Sequence, residues 1–178
     1  EDLSMKPQEP WIGKRARIGV IIPSTNIGVE YDCQRIIPPG VTWHFARFFV
    51  SQPDLSSDNM FLAFVEAIRE TITPYQSVGD EQVHRFLEES GYNVTKVIGL
   101  KCDTATSIAH TPPREVIDTV IKELDGSNVD CIVQAGTNLS TIDIFPTLEK
   151  QLGKPIIPIN VATIWHALRA QGITDKVY

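Results

Sequence analysis

Polar side chains with hydroxyl and amide groups follow the first apolar segment of the chain. Ser24, Thr25 and Asn26 come almost directly after the run RIGVII at residues 17–22. If that run is a strand of a parallel sheet, these side chains lie at the carboxyl edge of the sheet, where such folds bind ligands. Hydroxyl, amide and exposed backbone N–H groups can together bind a carboxylate. This tripeptide therefore predicts a binding site for a small anion.

A second polar turn of the same kind lies in the C-terminal part of the chain. Gly136, Thr137 and Asn138 follow the apolar segment at residues 130–134 and precede a helical pattern. Thr137 or Asn138 could simply cap that helix, because Thr and Asn oxygens accept N–H groups at helix starts. Polar residues at strand ends are also where anions bind, so both interpretations of this turn stay open.

The cysteines and histidines show no spacing that would form a metal site. Cys33, Cys102 and Cys131 lie far apart, and the four histidines are equally scattered. Cys33 and Cys131 are expected to be buried, whereas Cys102, just past a predicted strand, is the best placed for catalysis. The turns also lack the Gly-rich patterns that bind dinucleotides or phosphates. We therefore predict no metal and no cofactor.

The charge balance limits the classes of partner that the chain can have. It has 178 residues, is 42% hydrophobic, and carries a formal net charge of −6. An acidic surface argues against nucleic acid and against an acidic membrane, and no apolar run approaches the roughly 20 residues of a membrane helix. An odd cysteine count without a secretory signal fits a reducing cytoplasm, so we expect a cytoplasmic protein.

Strands and helices alternate along the chain, which is typical of a parallel α/β sheet with right-handed crossovers. The first strand, at residues 17–22, has the continuous apolar composition of a strand buried on both faces. Strands are predicted at 17–22, 41–49, 93–100, 130–134 and 155–159, and helices at 58–71, 78–90, 114–124, 142–152 and 163–171. The turns expected to face a ligand are 23–26, 73–79, 101–110, 136–140 and 160–163.

One join in this pattern is irregular. The helix predicted at 58–71 runs almost without a strand into the turn that begins at Thr73, whereas four or more strand residues precede the other turns. We therefore expect one or two βα units, each on the order of 30 residues, to be missing near residues 69–73. A genuine tight helix–loop–helix connection is the alternative.

Four segments carry a resemblance to a known family. They read RIGVIIPSTNIGVE, TPYQSVGDEQVHRFLEESGY, GLKCDTATSIAH and VDCIVQAGTNLSTIDIFPTLEKQLGKPIIPINVATIWHALRAQGI. Together they resemble the maleate isomerase and arylmalonate decarboxylase group of the aspartate/glutamate racemase superfamily. The resemblance implies two similar flavodoxin-like α/β halves with the active site in the cleft between them. The halves would be residues 18–72 and 73–161, with 162–178 forming a helix that returns to the first half.

The resemblance also implies a reaction. It points to a cofactor-independent isomerase acting on a small dicarboxylate, maleate cis-trans isomerase-like, in a homo-oligomer. It gives Tyr75 a catalytic hydroxyl and gives Asn26 a role in substrate binding. A cysteine of this group is expected at about Gly136, and the opposing cysteine falls in the suspected gap. An arylmalonate-type decarboxylase, an aspartate/glutamate-type racemase and a dicarboxylate-binding protein without catalysis are the alternatives.

Overall fold

The computed structural model describes residues 12–49, 80–100, 102 and 104–176. Its first part is a β-α-β unit. Strand β1 (Ala16–Pro23) and strand β2 (Val41–Phe48) pair in parallel, with Ala16 opposite Val41 and Pro23 opposite Phe48. Helix α1 (Gly28–Arg35) connects the two strands.

Three helices lie in the middle of the described chain. They are α2 (Asp80–Glu89), the short α3 (Ala105–Ala109) and α4 (Pro113–Thr119), which continues as a π-helical turn over Val120–Leu124. Pro113 opens α4 at a position where its missing N–H costs no hydrogen bond. None of the described helices is both long and apolar enough to cross a bilayer.

The C-terminal part repeats the β-α-β arrangement. Strand β3 (Ile132–Gln134) and strand β4 (Ile156–Pro158) pair in parallel, and helix α5 (Phe145–Leu152) lies between them in sequence. Gly153 ends α5 with a φ of 65°, a left-handed conformation that glycine adopts without strain. Helix α6 (Ile159–Ala170) follows β4 directly. The α/β fold with two similar parallel-sheet halves is thus confirmed.

Two hydrophobic cores hold these units. The first contains residues of β1, β2, α1 and α6, so the C-terminal helix packs against the first sheet. Its buried members are Ala16, Cys33, Ile36, Val41, Ile142, Ile164, Leu168 and Ile173. The second core joins α4, its π-helical turn, β3, α5 and β4. Its buried members are Val116, Val120, Ile132, Leu139, Phe145, Leu148 and Ile156.

Several sequence-based predictions are corrected by the structure. Residues 93–100 form no strand, because no strand among the described residues lies beside them to share backbone hydrogen bonds. Helix α6 begins at Ile159, so residues 160–163 are helical rather than a loop. The predicted loop at 101–110 contains the helix α3, whose start is capped by the side chain of Thr104. The predicted helix at 58–71 and the turn at 73–79 lie outside the described residues.

The prediction that β1 is buried on both faces is also wrong. Its side chains alternate between covered and open positions, and Ile21 is 58% exposed. Helices α1 and α6 share one core with the sheet, and no other described helix contributes a buried residue to that core. The described elements therefore cover only one face of β1, although apolar residues lie on both of its faces.

Candidate functional site

The two polar turns predicted from the sequence meet in the structure. The Nδ2 of Asn26, after β1, donates to the Oγ1 of Thr137, after β3, at 3.1 Å. The Nδ2 of Asn138 donates to the backbone carbonyl of Thr25 at 3.3 Å. Both turns follow the carboxyl ends of parallel strands, which is where α/β folds bind ligands. The structure thus brings together residues that are 111 positions apart in sequence.

Asn26 is fixed in this position by the turn that carries it. Its backbone N–H donates to Pro23 at 3.0 Å, and its Oδ1 accepts the N–H of Val29 at 3.1 Å. The side chain is 6% exposed. Arg47 of β2 donates to the Asn26 carbonyl at 2.7 Å and forms an ion pair with Glu30. Asn26 therefore caps α1 with its side-chain oxygen and donates from its amide nitrogen to Thr137 of the second half.

Asn138 caps the helix of the opposite half. Its Oδ1 accepts the backbone N–H groups of Ile27 at 2.9 Å and Gly28 at 3.1 Å. The prediction that this turn caps the helix that follows it is wrong, since α5 begins only at Phe145 and Asn138 caps α1 instead. The first amides of α1 are therefore already hydrogen-bonded to side chains of the two turns.

The same contact requires a glycine at position 28. A Cβ added to Gly28 would lie 2.7 Å from the carbonyl oxygen and 2.9 Å from the carbonyl carbon of Asn138. Real Cβ atoms do not approach backbone this closely, so the two halves meet with one backbone against the other.

The other residues of the two turns lie around this contact. The backbone N–H of Ser24 donates to Phe48 at 2.8 Å, which ties the end of β1 to the end of β2. Ser24 and Thr25 are half-buried, whereas Thr137 and Gly136 are exposed. Thr137 thus lies at a surface that solvent and a ligand can reach.

Three polar residues that sequence analysis did not assign to the site support the second turn. Asp32 accepts the Oγ of Ser140 at 2.5 Å and the Nδ2 of Asn160 at 2.7 Å. Asn160 also donates to the carbonyl of Thr137 at 2.8 Å. The sequence signal for this group was Asp32 itself, which lies next to Cys33, a residue expected to be buried. Carboxylates are seldom buried without partners, so Asp32 could have been expected to bind polar groups.

Gly136 has room for a side chain. A Cβ at this position would meet a single atom within 4 Å, the Nε2 of Gln134 at 3.5 Å, which is ordinary van der Waals contact. Its carbonyl accepts the Gln134 side chain at 2.5 Å and the Leu139 N–H at 3.1 Å. Gly136 therefore leaves open space where the resemblance expects a cysteine.

Two of the cysteines are chemically unsuited to act as thiolates near neutral pH. Burial, followed by the charges of Asp32 and Glu30, raises the pKa of the Cys33 thiol from 9.0 to about 12. Burial also raises the pKa of Cys131, which is half-buried. The prediction that Cys33 is buried is confirmed, since it is 2% exposed in the first core. The Sγ of Cys102 lies 3.6 Å from the Oγ1 of Thr111.

Tyr75, to which the resemblance gives a catalytic hydroxyl, lies outside the described residues. Within the part of the chain that the structure describes, no three His, Cys, Asp or Glu side chains are grouped to hold a metal ion. The chemistry visible at the two turns is therefore that of neutral hydrogen-bonding groups from both halves, with a hydroxyl and an amide at 3.1 Å from each other.

Comparison with known proteins shows which family this chain matches. The profile of the family described as arylmalonate decarboxylase matches residues 47–177. Maleate isomerases of Geobacillus stearothermophilus and Alcaligenes faecalis are 27% and 25% identical over 107 residues. These matches cover 60% of this chain and 42% of each relative, so they span less than half the length of the relatives.

Solved structures show the same fold. A Nocardia farcinica maleate cis-trans isomerase with a covalently bound succinylcysteine intermediate matches with a TM-score of 0.64 and 17% identity, over 88% of this chain and 93% of that chain. A Pseudomonas putida maleate isomerase with maleate matches with a TM-score of 0.68 and 18% identity, over 88% and 92%.

Proposed function

The chain belongs to the arylmalonate decarboxylase family, and on this premise we propose that it is a cofactor-independent isomerase of a small dicarboxylate, of the maleate cis-trans isomerase kind. Two maleate isomerases among its relatives support this choice of substrate and reaction. The proposed substrate contacts are the two polar turns, Ser24, Thr25 and Asn26 with Gly136, Thr137 and Asn138. Tyr75 is the proposed catalytic hydroxyl.

One contact carries this proposal. The Nδ2 of Asn26 and the Oγ1 of Thr137 come from opposite halves and lie 3.1 Å apart. A substrate carboxylate between them can accept from both groups, replacing the bond that they make to each other. The α1 amides of Ile27 and Gly28 are already bonded to Asn138. Side chains, rather than the helix N-terminus, therefore hold the carboxylate.

Isomerisation of maleate requires the carbon–carbon double bond to become a single bond for long enough to rotate. A nucleophile that adds to the alkene achieves this, and a thiolate suits the task because sulfur is strongly nucleophilic. Gly136 supplies no nucleophile, and Cys33 is buried with a pKa of about 12. We propose that the nucleophile belongs to the βα units that we expect to be missing near residues 69–73.

A dicarboxylate-binding protein without catalysis is the second candidate. Gly136 favours it, because this position carries no side chain although a Cβ there meets nothing closer than 3.5 Å. Such a protein would keep the contacts made by Asn26 and Thr137 and lack the thiol. It binds the same ligands and returns them unchanged.

Other properties are proposed from composition and from the family resemblance. We propose a cytoplasmic homo-oligomer that needs no cofactor. We further propose that residues 18–72 and 73–161 form the two halves and that 162–178 return to the first. The position of Ile164 and Leu168 in the first core supports the last of these assignments.

Proton NMR of the purified protein with maleate in D₂O tests the proposal. The appearance of the fumarate vinyl signal over hours, absent from a sample without protein, establishes the isomerase. Unchanged maleate with a rise in melting temperature at increasing maleate supports the binding protein, since a ligand that binds only the folded state stabilises it. If maleate at high concentration is not converted and does not stabilise the protein either, both candidates are contradicted.

A further inference from the structure

A buried carboxylate lies behind the second polar turn. Asp32, on α1, is 1% exposed, and no cation among the described residues forms an ion pair with it. Its oxygens accept hydrogen bonds from Ser140 and Asn160 instead. Burying a carboxylate costs free energy even when it accepts hydrogen bonds from neutral groups. A hydrophobic residue would fill the same place in the core at lower cost.

Both hydrogen bonds of Asp32 lead to the same short loop. Ser140 ends the turn at residues 137–140, and Asn160 reaches the start of that turn through the carbonyl of Thr137 at 2.8 Å. The two hydrogens of the Asn160 amide therefore serve Asp32 and Thr137. The negative charge of Asp32 also fixes the orientation of this amide, because a flipped Asn160 would place its oxygen against the carboxylate.

We infer that Asp32 is a positioning residue for the candidate site. Through Ser140 and Asn160 it holds both ends of the loop at residues 137–140. This places the Thr137 hydroxyl against Asn26 and the Asn138 oxygen against the first amides of α1. The role of that loop in binding a dicarboxylate rests on the proposed function, whereas its attachment to Asp32 does not.

Asp143 provides a matched control within the same region. It also joins α1 to the segment that follows the loop, by accepting the Tyr31 hydroxyl at 2.6 Å and pairing with Arg35. Its side chain is 48% exposed. The hydrogen bond with Tyr31 and the ion pair with Arg35 involve no residue of either polar turn. Asp143→Asn therefore weakens the link between α1 and this segment without touching Ser140 or Asn160.

Amide hydrogen exchange followed by NMR tests the inference. In Asp32→Asn, the amides of Ile27 and Gly28, which donate to Asn138, should exchange about tenfold faster while core amides of α5 are unchanged. In Asp143→Asn the Ile27 and Gly28 amides should stay within about twofold of the unmodified protein. Equal rates for these amides in the two variants, or uniform acceleration throughout the protein, would overturn the inference.

Ser140→Ala serves if Asp32→Asn does not fold. It removes one of the two hydrogen bonds of Asp32 and leaves the other, so the same two amides should accelerate by a smaller factor. Unchanged exchange of these two amides in Ser140→Ala would contradict the positioning role of Asp32.

Maleate titration completes the test. We expect Asp32→Asn to weaken maleate binding about tenfold and Asp143→Asn to leave it within about twofold. A protein that binds no maleate at all contradicts the proposed function, while the exchange rates still decide the role of Asp32.

Discussion

The side-chain oxygen of Asn138 accepts the backbone N–H of Gly28 at 3.1 Å, across 110 residues of sequence. The cap of α1 thus comes from the opposite half of the molecule. Because the same helix start also bonds Asn26, capping and the proposed substrate site share their residues.

Gly28→Ala should destabilise the protein. The added methyl would lie 2.7 Å from the carbonyl oxygen of Asn138, so one backbone must move, at a cost of about 1–3 kcal/mol in the free energy of unfolding. Gly19→Ala is the matched control, because its Cβ meets no atom within 4 Å. Urea denaturation measures both variants, and equal stability of the two would show that the halves can separate here at no cost.

Asn26→Asp should separate capping from substrate binding. The aspartate keeps an oxygen for Val29 but loses the amide that donates to Thr137, and its charge repels a carboxylate. We expect maleate affinity to fall about tenfold or more, and the melting temperature shows how much stability the newly buried charge costs. Asn128→Asp, exposed in the turn before β3, controls for the added charge. Undiminished maleate affinity in Asn26→Asp would remove Asn26 from the site.

Tyr75→Phe should abolish turnover without unfolding the protein, if the proposed catalytic hydroxyl is correct. Tyr92→Phe is the comparison, because Tyr92 is 68% exposed and its hydroxyl is not part of the proposed site. Initial rates of fumarate formation and melting temperatures are measured for both. Full activity in Tyr75→Phe rejects the assigned role.

Gly136→Cys should be accepted by the fold. The nearest atom to its Cβ is 3.5 Å away, and the backbone at this position needs no positive φ, so a loss of more than about 1 kcal/mol is not expected. The new thiol would then immediately precede Thr137, whose hydroxyl accepts a hydrogen bond from Asn26. If the binding candidate is right, this variant should gain maleate turnover that Gly136→Ser, with its weaker nucleophile, does not. Equal turnover in the two variants would show that a thiol at this position is not sufficient.

Cys33 should resist alkylation in the folded protein. With a pKa of about 12, its thiolate fraction at pH 8 is roughly a thousandfold below that of an unperturbed thiol. Iodoacetamide labelling followed by peptide mapping should modify the half-buried Cys102 well before Cys33. Similar rates at the two positions would contradict the burial of Cys33.

The raised pKa of Cys33 also sets the direction of a pH effect. The folded state favours the protonated thiol, so this contribution to stability is complete below about pH 9 and is lost as pH rises toward 12. The unmodified protein should therefore lose stability above pH 9 more steeply than Cys33→Ala. If the stabilities of the unmodified protein and of Cys33→Ala run parallel between pH 8 and 11, the pKa of Cys33 is not raised by folding.

Local sequence patterns predicted the elements whose formation depends on local signals. The apolar runs gave β1 and β2, and Gly153 marked the end of α5 because its φ of 65° suits glycine. The polar turns after β1 and β3 were each predicted as candidate binding sites, since ligands bind at the carboxyl ends of parallel strands, but the contact between Asn26 and Thr137 was not predicted.

Contacts between distant residues could not be predicted. Asp32 and Asn160 are 128 residues apart, and neither has a local partner that reveals the bond between them. A strand was predicted at 93–100 from composition alone, yet a strand exists only where a neighbour pairs with it, and among the described residues none does. Asn138 was expected to cap the helix that follows it in sequence, whereas it caps α1 in the other half.

The approach of Gly28 to Asn138 has a consequence for how this protein can change over evolution. A side chain at 28 is tolerated only if the chain at 138 recedes, so substitutions at the two positions are coupled and their effects will not add. A chimaera that takes one half from a relative would inherit only one side of this fit. The two halves must therefore be exchanged together or redesigned at this point.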